Sequence, residues 1–397
     1  TMSAQGMISL SGASQGLART GSAIPQVNLD QTGAGAITVT TGDLLMSDNS
    51  RLSTLSIGAR NAGLVTVNVG NSITLSGASD INSIANGSGS AGNIAITFGD
   101  LFDLLGDSTV LSGVNATTAR AAGQISITSL DGDLTISGGS EVSAVTFSTL
   151  SDTLRLGSIT VDVGAITLDD GAISVDGHGA QRAGSISVSA DRTIELNNGS
   201  SIASSATNAL LDGTMSEATG AAGDVTVRFG DSLDLNGASE IGSNAPDANT
   251  RTAGNVTITS DFGRLSMSGG SEISAITGST RPFTSAGVIS VDVGALDMTS
   301  ASGIVAESTG VQDAGQVTVH VDTTAELSSH ARITSSATGL GSAGAVTLDF
   351  GESLVLSGVS EISSDASGPD TLDAGLVTVH SVVGVLSMAE GSQISAT

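Results

Sequence analysis

The sequence predicts an all-β chain: a single right-handed parallel β-helix (solenoid) of about thirteen three-strand rungs. Three observations carry this. A glycine-led phrase returns along almost the whole chain, the residues after each glycine alternate apolar with polar, and the composition is aliphatic without being aromatic. Hydrophobic residues make up 39% and aromatic ones 2%, with Gly 53, Pro 4 and Cys 0, so the core must be built from Ile, Val and Leu.

The phrase is Gly, any residue, Ile/Val, Ser/Thr, Ile/Val/Leu, usually with Ala in front. It reads AGLVTV from Ala62, AGNIAI from Ala91, AGQISI from Ala122, AGSISV from Ala183, AGDVTV from Ala222 and AGNVTI from Ala253. It returns as AGVISV from Ala286, AGQVTV from Ala314, AGAVTL from Ala343 and AGLVTV from Ala374, with looser copies at Gly6, Gly35 and Gly157. From Gly35 to Gly375 the repeat averages about 31 residues, within the range of stacked arrays.

Within each unit the apolar period is two, the signature of a strand. Val65 and Val67 share one face while Thr66 points the other way, and Val256, Thr257 and Ile258 do the same. A second strand follows at 73–75, 134–136, 233–235, 265–267 and 354–356. A third, after a Gly-x-Ser corner, centres on one inward residue: Ile81, Val142, Ile202, Ile241, Ile273, Ile362 or Ile394. One such coil cannot bury its apolar face alone, so coils must stack, each strand bonding to its counterpart above and below. Phe98, Phe229 and Phe350 each stand six places after an anchor glycine and are expected to fill the core at a corner. The whole of 1–397 is expected to be one continuous β-helix and an excerpt of a longer chain, with a ragged first rung at 1–34 and long loops near 145–156 and 204–221.

Charge narrows the partners. Against 39 acidic residues stand 12 basic ones, all Arg, for a formal net charge of -27. Such a surface repels nucleic acid and anionic lipid, so neither is expected as a partner, and no apolar run is long enough to span a membrane as a helix. Absent cysteine removes disulfides and thiolate chemistry.

Candidate chemistry is sparse. Asp80, Glu141, Glu240, Glu272 and Glu361 each precede the inward residue of the third strand and should line one outward column. Ca²⁺ held between Glu240 and Glu272 is one reading of that column; a solvated acidic face is the simpler one. Asp292, His320, Asp349 and His380, each five places after an anchor, should stack as alternating acid and imidazole. They are metal candidates, though charge pairing between neighbouring rungs explains them with less. No catalytic residue and no cofactor other than Ca²⁺ is expected. The run Gly12-Ala13-Ser14-Gln15-Gly16 matches a hydrolase elbow but has neither a helix after it nor triad partners. The outward row Thr66, Ser126, Thr160, Ser187, Thr226, Thr257, Ser290, Thr318, Thr347 and Thr378 is interrupted by Ser and by Ala95, which counts against ice binding. Arg60, Arg120, Arg155, Arg182, Arg251 and Arg281 fall in the variable loops, while His178 and His330 fall in corner or loop text.

The unit A-G-N-[I/V]-T-I followed by L-x-[L/M]-x-G-x-S-x-I-S resembles the repeats of filamentous-haemagglutinin-like exoproteins of two-partner secretion, over nearly the whole chain. The resemblance implies a right-handed β-helix at the bacterial cell surface or secreted, an outer-membrane secretion partner, and a role in adhesion, biofilm or cell contact. The expected function is therefore a non-enzymatic stalk and display surface that meets other surface or matrix components. A self-assembling filament or sheath subunit, stacked end to end, is the alternative. A carbohydrate-active β-helix enzyme would need clustered carboxylates and stacking aromatics, and Trp and Tyr are both absent.

Overall fold

In the computed structural model, residues 1–20, 35–150, 157–211, 214–216, 218–281, 286–368 and 371–397 are described, and every regular element among them is a β-strand. The chain is a β-solenoid with three parallel strands to a rung, named here sheets A, B and C in the order the chain visits them. It divides into two compact units, residues 1–188 with 208–220 and residues 189–207 with 221–397. The first unit contains six described rungs, from Met2–Ser3, Met7–Leu10 and Gln15–Thr20 to Ile159–Val163, Ala165–Asp169 and Ala172–Gly177. The second contains seven, sheet B running from Thr193–Asn197 to Val385–Met388 and sheet C from Ser201–Ala206 to Gln393–Ala396. Sheet A strand Ile186–Ala190 spans the boundary.

Each strand pairs in register with its counterpart one repeat away, so like stacks on like. On sheet A of the first unit Val65, Ile94, Ile125 and Ile159 form one column, and Val67, Ile96, Ile127 and Val161 the next. On sheet B of the second unit Leu233, Leu265 and Leu296 stack, and Leu235, Met267 and Met298 beside them. All of these are buried. Each aliphatic side chain removed from water contributes roughly 1.5–3 kcal/mol before entropy, so neighbouring rungs stabilise one another where one rung alone would not hold. Phe98, Phe229 and Phe350 are buried, and Phe98 meets Phe102 edge-on at 5.9 Å.

The anchor glycines have a steric cause. A Cβ on Gly92 would collide with the carbonyl oxygen of Gly63, and one on Gly254 with that of Gly223. Successive rungs therefore close to backbone contact at this corner, and only glycine permits it. Opposite the anchors, a buried hydroxyl on sheet C ties two of them together. Ser83 Oγ donates to Gly63 O at 3.1 Å and accepts Gly92 N–H at 2.8 Å; Ser112 does the same with Gly92 and Gly123. In the second unit Ser243 bridges Gly223 and Gly254, and Ser364 bridges Gly344 and Gly375. Among the described residues no buried side-chain nitrogen or oxygen lacks a partner.

The corner between sheets B and C turns through two successive left-handed residues, such as Gly138 and Gly139 at φ 61° and 75°. The next residue is a buried serine whose hydroxyl donates back three residues, as Ser79 does to Ser76 O at 2.7 Å and Ser271 to Ser268 O at 2.7 Å. Ser14 makes the same bond to Ser11 O at 2.6 Å, so the Gly-x-Ser-x-Gly run is a corner and not a nucleophile elbow. One rung places the β-branched Val359 in the left-handed position, at φ 61°. That conformation costs a non-glycine residue roughly 1–2 kcal/mol. Val359→Gly is therefore expected to raise stability by about 1 kcal/mol, read from its urea midpoint; an unchanged or lowered midpoint would contradict the strain.

A longer repeat overlies the rung. Residues 91–150 align without a gap with 222–281: Phe98-Gly99-Asp100 answers to Phe229-Gly230-Asp231, and Gly138-Gly139-Ser140-Glu141 to Gly269-Gly270-Ser271-Glu272. The structure repeats with the sequence. Gln181 Nε2 donates to Arg120 O two rungs away, and Gln312 Nε2 donates to Arg251 O in the second unit. Ser148 Oγ reaches Ala119 O at 2.5 Å, and Ser279 Oγ reaches Thr250 O at 2.6 Å.

Candidate functional site

The acidic column of the third strand lies on the outer face of sheet C. Asp80 pairs with Thr109 and Thr109 with Glu141 in the first unit. In the second, Glu240 pairs with Glu272, then come Gly303, Arg332 and Glu361. Glu240 and Glu272 are thus direct neighbours, but each is engaged by protein. Glu240 Oε1 accepts from Asn244 Nδ2 at 2.6 Å and from Ser274 Oγ at 2.8 Å. Glu272 Oε2 lies 3.8 Å from Arg332 Nη2, two rungs on, across Gly303. Any Cβ at Gly303 would press on the Arg332 side chain at 3.2 Å. Burial raises the Glu272 carboxyl above its usual range, Arg332 opposes the shift, and Glu240 and Glu307 add to it.

A shallow hollow of about 310 Å³ opens beside the pair, lined among others by Glu240, Glu272, Asn244, Pro246 and Ile276. Chemically it offers one carboxyl biased toward its protonated form next to one held as an acceptor. Its lining holds no aromatic ring on which a sugar could stack. Among the described residues no group of three or more His, Asp or Glu side chains could hold a metal ion.

Sheet A carries the acid and imidazole column. Asp292 pairs with His320, His320 with Asp349 and Asp349 with His380. The side chains use the stacking unevenly. His380 Nδ1 meets Asp349 Oδ1 on the adjacent rung at 3.3 Å, whereas His320 Nε2 turns within its own rung to Asp322 Oδ1, just past the strand end, at 3.4 Å. All four of these side chains are at least 40% exposed, so solvent screens both pairs. The Thr/Ser row of sheet A stacks in register as well, broken by Ala95 between Thr66 and Ser126.

A tighter cluster that sequence reading left unassembled sits on sheet C of the first unit. Ser174 Oγ is 2.5 Å from Glu141 Oε1, 2.9 Å from Asp176 Oδ2 and 3.1 Å from Ser143 Oγ. A hydroxyl has one proton to give, so it cannot donate to both carboxylates. Burial raises the Asp176 carboxyl above its usual range; Ser174 and His178 oppose this and Glu141 reinforces it. His178 also packs on Phe147, ring centroids 4.8 Å apart. Register brings Glu141 and Ser143 beside Ala172 and Ser174, a neighbourhood that spacing alone does not reveal.

The sign of the pH effect follows. A carboxyl whose folded-state value is raised binds its proton more tightly when folded, so it costs nothing below the unfolded value of 3.8 and destabilises increasingly as pH rises through the folded value. Asp176→Asn is expected to be more stable than the parent at pH 7, and the two should converge once the pH falls below the unfolded value of 3.8. Thermal melts across that range check it, and a variant less stable at pH 7 would contradict it.

Of the loop arginines, Arg60 is half-buried and Arg120, Arg182, Arg251 and Arg281 are exposed, while Arg155 lies outside the described residues. The loop expected at 145–156 begins two residues later, at 147, because Glu141–Thr146 is strand; 151–156 lie outside the described residues. The insertion after Ser201–Ala206 contains an antiparallel pair, Ala209–Leu211 with Thr214–Ser216.

Comparison with family models, curated proteins and solved structures finds no match to this chain.

Proposed function

We propose that this chain is a stalk and display segment of a bacterial exoprotein of the filamentous-haemagglutinin-like kind, secreted or held at the cell surface after two-partner export. The observation that carries the reading is the pairing register. Rung after rung repeats the same inward columns and anchor glycines, while the outward positions vary freely between acid, imidazole, hydroxyl and apolar side chains. A scaffold whose interior is invariant and whose surface is free to change suits spacing and display, with contacts to surface or matrix components made by the outward positions and loops. The repeat grammar resembles that of those exoproteins, and the export route is proposed from that resemblance.

The reading is tested on cells that make this chain together with a candidate outer-membrane export partner. Protease added to intact cells should release peptides from this chain, and deletion of the partner should abolish that release. Peptides that appear only after lysis would overturn the placement. Titration calorimetry with Ca²⁺ addresses the Glu240 and Glu272 reading separately: no heat and an unchanged melting temperature are expected, and saturable binding lost in Glu272→Gln would reinstate the ion.

A further inference from the structure

Four rungs apart, the same turn between sheets A and B recurs, and it pushes large apolar side chains into water. In the first unit it is Ser129-Leu130-Asp131-Gly132, with Leu130 84% exposed; in the second it is Ser260-Asp261-Phe262-Gly263, with Phe262 90% exposed. At Ser381-Val382-Val383-Gly384 the two valines are 86% and 84% exposed. The frame is constant although the tip is not. Gly263 N–H donates to Ser260 Oγ at 2.8 Å, and Ser260 Oγ donates to Gly230 O at 3.1 Å; Ser129 and Ser381 bond alike. Gly263 is fixed too, since a Cβ there would meet the Phe229 ring at 2.6 Å.

Phe262 stands apart from Phe98, Phe102, Phe229 and Phe350, which are all buried. Phe262 itself forms one wall of a notch of about 210 Å³, lined also by Ser189, Asp191, Arg228, Gly230 and Asp261. Knob and notch thus share one corner. The walls carry both signs of charge: Arg228 and Asp261 are 3.7 Å apart and more than half exposed, with Asp191 on the rung stacked before Arg228.

We infer that this corner is a self-association surface on which a second copy of the chain docks across a two-fold axis, each Phe262 entering the other's notch. A two-fold contact uses the same patch on both copies and makes every contact twice. An adjacent knob and notch meet that requirement, whereas a foreign partner would use only one of them. The charges agree: the rotation sets Arg228 of each copy against Asp191 and Asp261 of the other. Burying a phenylalanine removes roughly 150–250 Å² of apolar surface from water, and the pinned turn has little freedom left to lose. The opposing net charge is confined at physiological salt, where the screening length is about 8 Å.

Sedimentation velocity of the whole chain in 150 mM salt, over a hundredfold range of concentration, tests the inference. The parent is expected to show a monomer–dimer equilibrium, and Phe262→Asp and Ser189→Arg, one removing the knob and the other filling the notch, should each weaken it at least tenfold. Leu130→Asp removes the counterpart tip in the first unit and should leave the dimer intact. A parent that stays monomeric throughout overturns the proposal. So does a dimer indifferent to Phe262→Asp, or one that Leu130→Asp abolishes equally. Far-ultraviolet circular dichroism, unchanged in all three variants, separates lost contact from lost fold.

Discussion

Gly254→Ala is expected to cost the chain roughly 4–5 kcal/mol or more, enough to disrupt the rungs around it. The methyl group would sit against the carbonyl oxygen and carbon of Gly223 and the backbone nitrogen of Asp224. None of these can swing aside as a side-chain tip could, since all are backbone atoms and Gly223 O is tied by the Ser243 hydroxyl. Relief would require separating two rungs along sheet A, where Val225, Thr226 and Val227 pair with Val256, Thr257 and Ile258. Gly6→Ala is the control, because nothing lies within 4 Å of a Cβ there and its φ is not left-handed; its effect should stay within about 0.5 kcal/mol. Urea unfolding of the two variants checks the pair, and equal effects would contradict backbone contact as the reason for the anchor glycines.

Ser243→Ala should be the next most damaging change, at about 2–4 kcal/mol, because two buried backbone groups lose their partner together. Ser243 is fully buried, and its hydroxyl holds Gly223 O and Gly254 N–H at 2.7 Å each. Alanine leaves both orphaned in a wall of aliphatic side chains. The corner serine Ser239 makes one short local bond, to Asn236 O at 2.6 Å, so Ser239→Ala should cost about 1 kcal/mol. Chemical denaturation should rank the two in that order. The reverse ranking would mean that the hydroxyl column does not tie the anchors together.

The aliphatic columns were legible in the sequence because a period of two leaves Val65 and Val67, or Leu233 and Leu235, no choice but one face. The buried serines were not. A step of two from Ile81 puts Ser83 on the inward face, but its polarity argues against that place, and only its bonds to Gly63 and Gly92 explain a hydroxyl inside. The four-rung repeat was visible in principle, from Phe98, Phe229 and Phe350 and from the recurring Gly-Gly-Ser-Glu, but the shorter rung period masks it. Of the candidate site, the stacking of Asp292, His320, Asp349 and His380 follows from their common distance to an anchor glycine. Which neighbour each imidazole chooses does not, because Asp349 and Asp322 are both within reach of a rotating side chain. Arg332 reaches Glu272 only because Gly303 leaves the intervening rung bare, and Glu141 joins Ser174 and Asp176, neighbours on one strand face, only through pairing between rungs.

Every inference above depends on one rung being traversed per repeat, with counterparts directly stacked. Paired spin labels at Thr257 and Thr378 test this most directly. Both are outward on sheet A of the second unit and are linked through Ser290, Thr318 and Thr347. Four steps of about 4.8 Å place their backbones roughly 19 Å apart. Pulsed dipolar spectroscopy should give a single narrow distance near that value, broadened only by the label arms. A distribution centred beyond about 35 Å, nearly double the stacked spacing, would contradict the stacked solenoid.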